Sequence, residues 1–316
     1  MGPALPRFLM APPFRYAFVA DPVVQADASA DVIPAFLQAI ECAPALPKLL
    51  RLQYLDAESE AARAWLAMTH NGSCIKLSER QRPFASPESN LKKSGSTRKK
   101  LRQDYNRLAA LGTVEVLNDR NPAAALVAFE TFLQLESKSW KGAKGTALLS
   151  SRTDSAFVRA LAQNMAQRQE FSVALLQLGG RAIAAQVLLY SGSMAYTWKT
   201  AFDSEFAKYS PGALLIEKMT TQLLALPNLV GIESCSPEGG FMEQLWEGRR
   251  SSVDLLVHVG QRKSFALDML AHRERAYRSL KNVRKKVRSM SASLRLPGAA
   301  TFAALTRVRA VPETKG

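Results

Sequence analysis

Hydrophobic positions recur along this chain with two different periods, and the change of period marks its elements. Residues 193–202 alternate at every second position, as half-buried strands do, and residues 171–178 read as another strand. Between them residues 181–190 are almost continuously apolar, which predicts a central strand buried on both faces. Gly179-Gly180 and Ser191-Gly192 supply the tight turns that would fold these three runs into an antiparallel set. Elsewhere the spacing is three and four. Leu126, Phe129, Leu133, Glu136 and Trp140 form one stripe of a helix opened by Asn121-Pro122. Further helices are predicted over 31–42, 58–70, 155–168 and 211–225. Short strands are predicted at 49–55, 74–77, 114–117, 229–233 and 253–259, with a short helix at 241–246.

The stretch SMAYTWKTAFDSEFAKYSPGALL, residues 193–215, is the pivot of this pattern. Strict alternation places Tyr196, Trp198 and Phe202 on one face and Thr197, Lys199 and Ala201 on the other. Asp203, Glu205, Lys208 and Tyr209 follow in a polar loop. Ser210-Pro211-Gly212 then predicts a helix start, with Ser210 as the capping side chain and proline where a missing N–H costs nothing. A strand feeding a helix N-terminus in this way offers N–H donors to an anion, here those following Ser210, at Gly212 and Ala213. The competing reading is a hairpin, a turn and a capped helix that bind nothing.

Composition narrows the class. The chain has 316 residues, 47% hydrophobic, enough for a large core in two lobes. Its net charge of +15 is uneven: from residue 261 onward there are 14 Lys and Arg against 3 Asp and Glu. The body is therefore only mildly basic, which argues against a nucleic-acid binder chosen on total charge. A second basic stretch, KKSGSTRKKLRQDYNRL at 92–108, reads as a connecting helix or a basic rim for phosphates. The tail at 264–290 reads as a basic amphipathic helix with Met269, Leu270, Tyr277, Leu280, Val283 and Val287 on its apolar face. It would pack on the body, lie on an anionic membrane surface peripherally, or touch nucleic acid. Residues 291–316 read as a mobile end. Cys42, Cys74 and Cys235 are scattered, with no spacing that suggests a metal. No signal peptide or membrane-spanning run is evident, so the expected location is cytoplasmic, or peripheral to the inner membrane.

Candidate chemistry follows from residues that sit badly in a plain core. Glu136 interrupts a buried stripe, which is costly unless it is paired or used. The next residues, SWKGAKGTALL, place Trp140, Lys141 and Lys144 in a glycine-rich loop that does not match a P-loop. Asp203 and Glu136 are candidate bases and Tyr209 a candidate acid. Lys199 is a partner for an acidic substrate or for Asp203. Trp140 and Trp198 offer stacking surfaces, and Arg249 and Arg250 precede the last strand as carboxylate or phosphate ligands. His70, His258 and His272 belong to no recognisable triad.

The order of elements resembles that of GCN5-related N-acyltransferases. In detail, residues 97–259 resemble the acetyltransferases named for cellulose biosynthesis (CelD/BcsL type), relatives of the FemAB transferases. The matching pieces are RKKLRQDYNRLAALGTVEV (98–116), FLQLESKSWKGAKGTAL (132–148), YTWKTAFDSEFAKYSPGALL (196–215), IESCSPE (232–238) and LWEGRRSSVDLLV (245–257). Residues 14–84, including ERQRPF, are more weakly similar to the first half of that family. The resemblance implies an α/β fold with a mixed, mostly antiparallel sheet flanked by helices. It divides the chain into a shortened first lobe (1–90), an acyltransferase domain (91–260) and a basic tail (261–316). It implies acyl transfer from acetyl-CoA or another acyl-CoA, without metal, to a sugar hydroxyl or amine in polysaccharide or envelope assembly. Glu136, Asp203 and Tyr209 would be catalytic. Trp140, Lys141, Trp198, Lys199, Arg249 and Arg250 would bind substrate, and Ser210, Gly212 and Ala213 the donor. The superfamily's pyrophosphate loop, (Q/R)xxGx(G/A), is absent, so an aminoacyl-tRNA donor stays open; so does a non-catalytic scaffold. The site expectation is sharp: Glu136, Lys199, Asp203 and Tyr209 should meet in one cleft.

Overall fold

The computed structural model describes residues 6–11, 16, 18–25, 28–236, 239–260 and 264–293; the expected mobile end from 294 and part of the 232–238 motif lie outside them. In chain order the strands are β1 (Leu9–Met10), β2 (Leu49–Asp56), β3 (Cys74–Ala85), β4 (Val114–Leu117), β5 (Phe171–Leu178), β6 (Arg181–Ser191), β7 (Met194–Phe202), β8 (Gly231–Glu233) and β9 (Arg249–His258). The helices are α1 (Ser29–Cys42), α2 (Glu60–Ala67), α3 (Ser96–Ala109), α4 (Pro122–Lys138), α5 (Trp140–Ala143), α6 (Arg152–Gln167), α7 (Pro211–Leu224) and α8 (Phe265–Ser293).

Gly179 and Gly180 both adopt positive φ, 55° and 82°, the geometry a two-residue hairpin needs to match strand twist. They join β5 to β6, and β7 returns antiparallel as the periodicity predicts. Among the described residues the nine strands form one sheet in the order β1-β2-β9-β3-β8-β7-β6-β5-β4. Pairing is antiparallel except for β1–β2 and β7–β8. β3 is much longer than the four residues the sequence suggested. It runs along β9 from Cys74 to Pro83 and then pairs with β8 through Phe84 and Ala85, joining the two halves of the sheet. β9 is inserted between β2 and β3, so the last strand lies among strands of the first 90 residues.

Two helical layers sandwich the C-terminal half of the sheet. Phe171, Val173, Ala185, Val187, Trp198 and Ala201 face α4 and α6 through Phe129, Phe132, Leu133, Val158 and Ala162. The alternate positions, among them Ala174, Leu176, Ile183, Leu188, Ala195 and Ile232, face α3 and α7 through Leu101, Leu108, Leu214, Leu215, Met219 and Leu223. Burying each such large side chain contributes about 1.5–3 kcal/mol, so the two-residue period fixes which helix layer each face accepts. The first half is closed by α1 and α2 on Leu50, Leu55, Val253, Leu255 and Val257. Opposite them, Leu267, Leu270 and Ala271 dock α8 on Leu49, Leu77 and Leu256. The apolar face expected for the tail is thus only partly used: Met269, Tyr277, Leu280 and Val283 are exposed.

Candidate active site

The period of β7 breaks at the residue that matters most. Val187 pairs with Lys199 and Leu188 with Thr197, so Trp198 has no partner of its own and forms a β-bulge. A bulge re-aims the side chains beside it. Trp198 packs in the α4–α6 layer, and Lys199 reaches the same side, 3.5 Å from Glu136 of α4. This corrects the strict alternation, which put Trp198 and Lys199 on opposite faces.

Glu136 is fully buried. Its Oε1 lies 3.2 Å from Lys141 Nζ and 3.5 Å from Lys199 Nζ, and its Oε2 accepts the amide of Leu148 at 2.8 Å. Burial of a lone carboxylate would be prohibitive; three donors on two oxygens offset it. Lys141 arrives through a corner. Ser139, extended at ψ 178°, ends α4, and its Oγ donates to the Glu136 carbonyl at 2.7 Å. The same oxygen accepts the Lys141 amide at 3.2 Å and so caps α5. Gly142 completes the turn where any Cβ would collide with the Ser137 carbonyl. Lys141 Nζ also donates to the Thr200 carbonyl at 2.9 Å, which locks it to β7.

Lys141 and Lys199 line a cleft of 450 Å³ together with Tyr16, Phe18, Thr146, Trp198 and Thr200. Tyr16 stacks on Phe157 at 5.8 Å, meets the Trp198 ring edge-on at 5.5 Å, and lies under Lys199 at 5.7 Å. One carboxylate and two ammoniums leave the cluster with a net charge of +1. Such a wall favours an anionic ligand or an oxygen that becomes negative during reaction. A larger groove of 890 Å³ lies at the β4 edge between α4 and α7, lined mainly by Val116, Leu117, Val127, Thr131 and Leu226. It holds none of the predicted site residues.

The other candidates lie elsewhere. Asp203 is bonded to Arg181 at 2.5 Å and caps the turn at Ser204–Tyr209 through the Glu205 amide. Tyr209 is buried in the opposite layer, with Arg107 and Lys208 over its ring. The expected four-residue convergence therefore reduces to Glu136 and Lys199, joined by Lys141. Trp140 is 56% exposed, because the Ser139 corner turns it out of the α4 stripe. Arg249 donates to the carbonyls of Trp246 and Gly248, at 2.8 Å each, and closes its own loop. Arg250 pairs with Asp56 at 2.7 Å. Ser210 does not cap α7 with its side chain. It sits in the left-handed region at φ 51°, and its carbonyl takes the amides of Ala213 and Leu214.

Glu233 was missed by the sequence reading. It is the last residue of β8 paired with β7, at the point where the two strands part. It is buried against Arg82, with Nε 3.2 Å from Oε1, and burial pushes its carboxyl up. Tyr196, its partner across the strands, is likewise pushed up by burial, and Cys235 to about 12. The signal was present in the ERQRPF and IESCSPE segments, but nothing local says that Arg82 of one meets Glu233 of the other.

Residues 95–228 match the model of the Acetyltransferase (GNAT) domain. That stretch is a GNAT-type acetyltransferase domain. The domain makes the chain an acyltransferase by type and implies an acyl-CoA donor in general terms. The fold is similar to that of L-PGS from Bacillus licheniformis, at 16% identity and TM-score 0.50 over 79% of each chain. It is similar, also at 16% identity and TM-score 0.50, to the C-terminal domain (DUF2156) of a putative lysylphosphatidylglycerol synthetase from Agrobacterium fabrum. That match covers 84% of this chain and 82% of the other. No curated protein matches. Among the described residues no helix is long and apolar enough to cross a membrane, and no three His, Cys, Asp or Glu side chains cluster as metal ligands.

Proposed function

We propose that this GNAT domain transfers an acyl group, acetyl from acetyl-CoA as the working case, to a hydroxyl or amine of a saccharide in polysaccharide or envelope assembly. The observation that carries the reading is that Lys141 and Lys199, both paired with the buried Glu136, line the cleft. In acyl transfer the acceptor oxygen or nitrogen attacks the thioester carbonyl, negative charge gathers on the carbonyl oxygen, and the C–S bond breaks as the departing thiolate takes up the proton the acceptor releases. Lys141 and Lys199, oriented by Glu136, stabilise that charge in place. Glu136 itself is a positioning residue, since both of its oxygens already accept. Trp198 and Tyr16 offer the aromatic surface on which a sugar ring stacks. The resemblance to CelD/BcsL-type enzymes supports the saccharide acceptor and a cytoplasmic or membrane-peripheral location.

The test combines binding and turnover. Acetyl-CoA should raise the melting temperature, as any ligand of the native state does. Donor consumption with envelope sugars should be lost in Lys199→Ala and Lys141→Ala at temperatures where thermal melts show each variant still folded, although stranding the Glu136 carboxylate lowers their melting temperatures. Unchanged turnover in both variants sinks the assignment of this cleft. A second reading, aminoacyl transfer from tRNA, is favoured by one observation: the amides of Ala213 and Leu214 at the α7 N-terminus, where a phosphate would be expected, are already taken by the Ser210 carbonyl. It requires tRNA binding that weakens steeply with salt.

A further inference from the structure

α8 docks on the sheet through one side. Leu267, Leu270 and Ala271 pack against Leu49, Leu77 and Leu256. Just beyond them Glu274 pairs with Arg51 at 3.3 Å, and Arg275 donates to the Lys76 carbonyl at 3.5 Å. These contacts fix how the helix is rolled on the body. At about 3.6 residues per turn, Phe265, Met269, Ala276, Leu280 and Val283 then fall on the opposite side. Their spacings of four, seven, four and three keep them in one stripe. All five are exposed, and Phe265, Leu280 and Val283 each keep more than half of their surface in water. A helix that only covers a sheet needs one apolar side. This one has two, and the second faces away from the protein.

Charge decides what the second side meets. α8 holds eight Lys and Arg against Asp268 and Glu274, and no acid follows Glu274 along the helix. Arg273 and Arg284 are exposed along one flank of the stripe and His272 along the other. Of the two acids, Glu274 is turned to the body by Arg51, and Asp268 lies about a quarter turn from the stripe. A second copy of the chain would bring two such cationic faces together, and they repel. Nucleic acid would take the arginines but leave Phe265, Leu280 and Val283 in water. An anionic lipid surface satisfies both features. The apolar side chains enter the boundary between headgroups and acyl chains while the arginines meet the lipid phosphates.

We propose that the outward side of α8 is a membrane-docking surface that lays the helix along an anionic lipid surface. It gives the membrane-peripheral location proposed above a contact of its own, and it holds whether or not the cleft transfers an acyl group.

The experiment floats the full chain with vesicles of phosphatidylcholine alone, and of equal parts phosphatidylcholine and phosphatidylserine, at low and high salt. The parent should bind the mixed vesicles, bind them less as salt rises, and ignore phosphatidylcholine alone. Leu280→Asp with Val283→Asp should weaken that binding at least about tenfold. Arg273→Glu with Arg284→Glu should weaken it to a similar extent. Thermal melts of both variants should match the parent's, since all four side chains are exposed. Should the aspartate variant melt early, Leu280→Ser with Val283→Ser replaces it. No binding of the parent to the mixed vesicles overturns the proposal, and so does binding that survives either change at Leu280 and Val283. A dimer that these changes dissociate would make the stripe a contact between copies. Binding of an RNA or DNA duplex without vesicle binding would make it a nucleic-acid face. Either result also overturns it. Donor consumption does not enter the readout, so failure here leaves the cleft assignment untouched.

Discussion

Removing the charge of Glu136 should both destabilise the protein and stop its chemistry, and the size of the first effect can be worked out. The carboxylate lies 3.2 Å and 3.5 Å from two ammoniums. At an effective dielectric of about 20, each pair is worth on the order of 5 kcal/mol of Coulomb attraction. Desolvation of the fully buried carboxylate cancels much of this, and the lysine side chains keep about one-fifth of their surface in water. Glu136→Gln keeps the shape but leaves two lysines bound to a neutral amide and repelling each other. The net loss is about 3 kcal/mol, at the low end for breaking a buried pair. For a chain of this length that lowers the melting temperature by about 5 °C. The reasoning also makes a sign prediction. Adding Lys199→Met to Glu136→Gln should restore stability, because it removes one of the stranded charges. Thermal melts of the two variants and the parent, with donor consumption measured in parallel, test this. If Glu136→Gln melts with the parent, or Lys199→Met lowers stability further, the cluster is not held by charge as described.

Other outcomes follow from particular contacts. Burial pushes Cys74 and Cys235 up to about 12, whereas Cys42 is exposed. A thiol reagent at neutral pH should therefore label one cysteine quickly in the native protein, and none in Cys42→Ser. Gly142→Ala should drive its new methyl into the Ser137 carbonyl and displace Lys141, so transfer should fall more than stability does. Asp203→Asn keeps an oxygen for the Glu205 amide and loses only the exposed Arg181 pair, so its thermal melt should stay close to the parent's and turnover should change only a few-fold if the cleft is correctly placed. The hydrogen bond from Arg159 holds the Glu130 carboxyl below its usual value. Because the pair is exposed, Arg159→Ala should cost under about 1 kcal/mol. That difference should be full near pH 7 and vanish as the pH falls below about 4.5 through the depressed value, since a protonated Glu130 no longer gains from the pair. A pH series of urea melts that shows the same difference at pH 3 would refute it.

Much of the architecture was legible from local pattern. The three-strand meander and the α4 and α7 helices follow from period, turn glycines and proline-marked helix starts, each encoded within a few residues, whereas the mixed sheet was an implication of the family resemblance. Glu136 was legible for a similar reason: a carboxylate on an apolar stripe has to be paired or used. Lys199 was named for the wrong geometry, because alternation assumes an unbroken strand. Whether an extra residue bulges out is decided by the register of the neighbouring strand, here Val187 and Leu188 of β6.

The remainder was decided by contacts between distant segments. β9 enters the sheet between β2 and β3, a choice set by which apolar faces α1, α2 and α8 can cover together. Ser210 reads as a helix cap on its own, yet a carboxylate 106 residues earlier takes its hydroxyl. Arg82 and Glu233 look like two unrelated surface charges until β3 and β8 pair and bury them together. Local sequence determines how each segment folds, because turn chemistry and periodicity act over a few bonds. Which charges meet depends on the order and register of the strands, and those are set by burial summed over the whole chain.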